Sequence, residues 1–157
     1  MRPRILTLLR IIFGAAFLVL LILQVLLAIK IVRDSITSGE LSPAPLTLLA
    51  SCVILAFGLI QFVIFCLFKL MKMVQIDEIF NQQSIAWVDR ITVTVAVGAF
   101  LLVFMAYIVA EVDDAPGAIF FGLFFAMLIM GVALLINIMR TLLARAIGFS
   151  TELEQVI

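Results

Sequence analysis

Four uncharged apolar runs constrain this chain more than any other feature: residues 11–29, 46–68, 91–110 and 118–139. Each holds about twenty residues, the length a helix needs to cross some 30 Å of hydrocarbon. In lipid the backbone of such a run must satisfy its own hydrogen bonds, and the strict alternation of a barrel strand is missing, so the runs read as helices. Composition agrees: 66% of residues are hydrophobic and 13% charged, against about 45–50% and about 25% in an average soluble domain. A chain of 157 residues has no core large enough to hide that apolar surface from water. The expected fold is all-α: an integral membrane four-helix antiparallel bundle forming a single domain. Its spans lie near 11–29, 46–69, 91–110 and 117–139, with short amphipathic segments on the cytosolic side.

The flanks set the expected orientation. Arg2, Arg4 and Arg10 precede the first span, Lys69, Lys72 and Arg90 border the middle connection, and Arg140 and Arg145 follow the last span. Only Lys30 and Arg33 lie on the other side, so eight of the ten basic residues share one face. The positive-inside rule then places both termini and the loop over 70–90 in the cytoplasm. The first run has no small-residue cleavage site at its far end, so it reads as a retained anchor rather than a signal peptide. External turns are expected over 30–45, which holds Pro43 and Pro45, and over 111–117.

Several classes of chemistry find no support. The net charge is zero and no histidine is present. Nucleic-acid binding lacks its basic face, and acid–base or metal chemistry lacks its commonest side chain. Cys52 and Cys66 share one predicted helix, roughly 21 Å apart, too far for a disulfide. Neither a nucleophile–base pair nor a phosphate loop is visible, so no catalytic, cofactor or metal residue is assigned.

What remains is surface and packing. Residues 73–91 carry Met73, Ile76, Phe80, Trp87 and Ile91 at helical spacing, with Asp77 and Asp89 among their polar partners. This predicts an amphipathic helix in the headgroup layer, read either as a structural elbow or as a docking surface. The tail over 140–157 continues the pattern through Phe149, Leu153 and Glu154, with a break or hinge expected at Gly148. The two segments are expected to meet as one platform, with Phe80, Trp87, Phe149 and Leu153 at its contact. Ala118, Gly122 and Ala126 form a small-residue stripe on which another helix can approach closely. Glu111, Asp113 and Asp114 make an acidic external turn, read as a solvated helix start or as a hard-cation site. Gln24, Gln61, Tyr107 and Asn137 are expected to bond between helices.

A resemblance rests on four strings. They are Met73-Val74-Gln75-Ile76-Asp77-Glu78-Ile79-Phe80, followed by Ala86-Trp87-Val88-Asp89; the turn Ala110-Glu111-Val112-Asp113-Asp114-Ala115-Pro116-Gly117; and the ending Met139-Arg140-Thr141-Leu142-Leu143 through Glu152-Leu153-Glu154-Gln155-Val156-Ile157. In these the chain resembles small bacterial membrane proteins grouped as the Domain of Unknown Function 2975 family, over nearly its whole length. The resemblance implies a four-span plasma-membrane protein, often encoded beside a small helix-turn-helix repressor. It carries over no catalytic residue. The expected function is a non-enzymatic regulator or scaffold whose cytosolic face binds such a partner. The alternative is an accessory subunit or small-solute transporter acting as an oligomer. Lipid is the expected surrounding, and a cytosolic protein and a second copy of the chain are the partner classes left open.

Overall fold

The computed structural model describes residues 3–38, 44–75 and 82–156, with side chains over 7–33, 36, 45–73, 83–146 and 148. Four helices account for these residues: α1 (Pro3–Ser38), α2 (Ala44–Gln75), α3 (Gln82–Val112) and α4 (Gly117–Val156). Each holds a stretch long and apolar enough to span a membrane: Thr7–Arg33, Pro45–Met73, Gln83–Val112 and Gly117–Ala146.

The helices outrun the spans expected from the apolar runs. α1 begins eight residues before position 11, and α4 continues 17 residues past 139. The described parts of the amphipathic stretch expected over 73–91 are continuations of membrane helices, and the tail extends α4. Met73 belongs to the end of α2, and residues 82–91 are the first turns of α3. Nothing in 82–91 stops a helix, and extending an existing one adds a hydrogen bond per residue fixed, without a new nucleus. The same cooperativity carries α4 through Gly148, where a break was expected. A glycine costs a helix only about 1 kcal/mol relative to alanine.

Where the chain does turn, local chemistry explains it. Pro45 sits in the first turn of α2, where a missing N–H is harmless. At the other hairpin the Asp113 amide donates to the Val109 carbonyl at 3.0 Å, and the Ala115 amide reaches back to the Ala110 carbonyl at 3.2 Å. Asp114 between them has φ 52°. This is the six-to-one closure of a Schellman cap, with aspartate in the left-handed position that glycine usually takes. Ala118 and Ile119 then donate to the carbonyls of Ala115 and Pro116, opening α4.

The helices form an antiparallel bundle packed in chain order. α3 packs most extensively on α4, less on α2, and α1 touches only α2; α1 and α4 do not meet among the described residues. The buried side chains follow suit. Cys52, Ile64, Cys66 and Met71 of α2, Ser84, Ile91, Ala99 and Ile108 of α3, and Ala126 and Ala133 of α4 make up most of the core. None of the described residues of α1 is buried. Hydroxyls inside the spans solve their solvation locally. Ser51, Thr92, Thr94 and Thr141 each donate to the carbonyl one turn back, at 2.7–3.0 Å.

Candidate functional site at the basic end

The end of the bundle that carries the α2–α3 connection also carries most of the basic residues. Its geometry is set by two groups of side chains on α3, one turned to α4 and one to α2.

Asp89 faces α4. Arg140 Nη2 donates to Asp89 Oδ2 at 2.7 Å, and Arg140 Nε pairs with Oδ1. The guanidinium and carboxylate thus meet as a fork on a fork, the geometry that best matches the two groups. Both side chains keep more than a third of their surface exposed, so solvent screens the pair. Asp89, expected as a docking residue, is engaged within the chain.

Trp87 faces α2. Its ring meets Phe65 edge-on, with centroids 6.2 Å apart. Arg90 Cζ stands 4.4 Å over the Trp87 ring, and Lys69 Nζ stands 5.7 Å over Phe65. Both distances suit a cation over an aromatic face. Trp87 therefore anchors α3 to α2. The other expected docking residues cannot be added to this surface: Ile76, Asp77 and Phe80 lie outside the described residues. Phe149, Leu153 and Glu154 sit on the described backbone of α4, but their side chains lie outside the described set.

Midway along the hairpin, Gly122 lies against α3. A Cβ at Gly122 would overlap Ala106 Cβ and stand 3.7 Å from both Ala106 Cα and the Leu102 carbonyl oxygen. Ala126 is buried on the same face, and Ala118 is half-buried. The small residues of α4 thus face α3, where backbones approach closely.

The opposite end is different. Tyr107, Ala110, Glu111, Asp114, Pro116 and Ile119 line a shallow hollow, with Tyr107 hydrogen-bonded to Glu111 one turn on. Asp113 is exposed outside that lining. Among the described residues no three carboxylate, thiol or imidazole side chains gather as a metal set. Of the intramembrane polar groups, Gln24 Nε2 crosses to α2 and donates to the Ile54 carbonyl at 3.0 Å. Gln61 Nε2 is buried with no hydrogen-bond partner among the described residues.

Counting along the chain would have found the Asp89–Arg140 pair that sequence reading missed. Ala106 and Gly122 each lie eight residues from Asp114, and Asp89 and Arg140 lie 25 and 26 from it. Antiparallel helices rise equally, so residues equidistant from a tight turn stand level.

Comparison with known proteins settles the family. The model of the family described as "Protein of unknown function (DUF2975)" matches residues 8–157. The chain belongs to that family. No curated protein and no solved structure matches it. The DUF2975 match takes in all four helices almost whole, so the hairpin register, the Asp89–Arg140 pair and the Trp87 cluster all fall within the family's span.

Proposed function

We propose that this DUF2975 chain is a non-enzymatic regulator or scaffold of the bacterial plasma membrane, with both termini in the cytoplasm and its basic end docking a soluble protein. A small helix-turn-helix transcription regulator is the partner that the family resemblance implies. The observation that carries this reading is the length of α4. Its 40 residues extend about 60 Å at 1.5 Å each, twice the hydrocarbon thickness. The apolar span ends at Ala146. The remaining turns, which carry Glu152 and Glu154, extend beyond the apolar span at the basic end. A projecting acidic stalk suits a basic protein partner better than it suits lipid.

Two measurements test this reading. Affinity purification from native membranes should retain the helix-turn-helix partner with the wild type and lose it with Glu154→Lys at unchanged melting temperature. Retention by both, or by neither, removes the docking role. In a cysteine-free background, single cysteines at Ser38 and Ser150, with a third at Gln83, fix the orientation. Gln83 is exposed whereas the neighbouring Ser84 is 1% exposed, which makes 83 the better reporter. Only position 38 should react with an impermeant reagent applied to intact cells.

The alternative, an accessory subunit or small-solute transporter acting as an oligomer, draws on a groove of about 310 Å³ between α2, α3 and α4. Thr94 is the polar side chain in a lining otherwise apolar, including Leu59, Val63, Gly98 and Ile129. Solute flux in proteoliposomes above that of protein-free vesicles would favour this second reading.

A further inference from the structure

We infer that the α2–α3 face at the basic end is a binding site for one anionic phospholipid, its phosphate held by Lys69 and Arg90 and its upper acyl chain laid against the neighbouring apolar face. This goes beyond the docking of a soluble protein and does not depend on it. Four side chains from two helices build the site. Lys69 lies over Phe65, Phe65 meets the edge of Trp87, and Arg90 lies over Trp87. Two cations therefore bracket two touching rings.

Depth is the first argument for lipid. The uncharged run of α2 ends at Phe68 and that of α3 begins at Ile91. The four residues stand where hydrocarbon gives way to headgroups, the level at which tryptophan and snorkelling basic side chains settle. Charge is the second. Asp89, the carboxylate next to Arg90 in sequence, is turned away to Arg140 on α4. Among the described residues no carboxylate pairs with Lys69 or Arg90, and both are exposed. A guanidinium lying over a ring keeps its edge N–H groups free to reach phosphate oxygens, and a lysine adds a point charge. Shape is the third: Phe62 and Val93, 43% and 63% exposed, continue one turn deeper beside the site. They offer an apolar track for a chain descending from the headgroup.

Trp87 is the single tryptophan of the chain, so its fluorescence reports on this site alone. Full-length protein is reconstituted in mixed phosphatidylglycerol and phosphatidylcholine vesicles, with brominated chains on one lipid or the other. Brominated phosphatidylglycerol should quench Trp87 more than brominated phosphatidylcholine at equal mole fraction. Lys69→Gln and Arg90→Gln should each reduce that preference about fivefold, the effect of one basic residue near an anionic surface. Arg90→Lys should keep some of it, and Arg145→Gln, on another helix, should leave it intact. Equal quenching by the two lipids in the wild type would overturn the site. So would a preference that survives loss of both cations. Millimolar inorganic phosphate should not change the preference; if it abolishes it, the site takes a soluble anion and the lipid assignment is wrong.

Discussion

The α3–α4 hairpin and helix α1 are both long and apolar, yet they are held in different ways. The hairpin is closed by an aspartate cap, brought to backbone contact at Gly122, and clasped at its far end by Asp89 and Arg140. α1 rests on α2 alone, contributes no buried residue among those described, and is tied by the Gln24 amide on the Ile54 carbonyl. In lipid an apolar side chain gains little by moving from hydrocarbon to protein. Hydrophobicity therefore places a helix in the membrane without deciding what it touches. Small residues and polar partners decide that, and α3 and α4 hold most of them.

Glycine substitution tests this contrast most severely. Gly122→Leu should lower the stability of the bundle by about 1–3 kcal/mol, because the added side chain forces the two backbones apart. Gly131→Leu on α4 and Gly14→Leu on α1 should leave melting in detergent unchanged, since a Cβ at either meets nothing within 4 Å. Equal losses at all three positions would mean that the close approach at Gly122 has no special weight.

A smaller effect is expected at the clasp. Asp89→Asn should cost up to about 1 kcal/mol, as befits a partly exposed ion pair. Joining Asp89→Arg to Arg140→Asp should restore most of the loss in a double-mutant cycle. Additive losses would show that the two side chains act separately.

On the weaker side of the comparison, Gln24→Leu should cost about 0.6 kcal/mol, typical of a hydrogen bond between membrane helices. Its signature should be local: faster amide exchange in α1 and none in the α3–α4 hairpin. If exchange rises in both, α1 is coupled to the hairpin more tightly than its packing indicates. The smallest change has the opposite sign. Asp114→Gly should stabilise the hairpin by about 0.5 kcal/mol, because glycine adopts the left-handed backbone of this turn without a side-chain clash. A loss at this position would assign the aspartate side chain a role that its backbone does not require.

The register of the bundle was closer to the sequence than its docking surface was. Gln24 and Ile54 each lie 15 residues from Gly39, Phe65 and Trp87 each 11 from Ile76, and Ala106 and Gly122 each eight from Asp114. Only the last pair is centred on its turn; the other two midpoints fall two to three residues before the centres of the connections 39–43 and 76–81, so counting alone places those contacts only approximately. The docking surface was harder because amphipathic spacing was read as two separate segments. The described parts of both instead belong to the long helices, with Trp87 packed on α2 and Asp89 paired to α4.

The sequence by itself determined that the chain holds four helices apolar enough to cross a membrane and about where each crossing lies. Apolar length and the demand for internal hydrogen bonding leave no other solution in lipid. Only the tertiary structure decided azimuth: which face of each level residue meets a neighbour and which meets lipid. Gln24 and Gln61 look alike in sequence, yet one bonds across to α2 while the amide nitrogen of the other is buried without a partner among the described residues. Asp89 and Arg90 are adjacent in sequence, yet one closes on α4 while the other covers Trp87. Where every face of a helix is apolar, the hydrophobic pattern carries no direction, and rotation about the helix axis is fixed by packing alone.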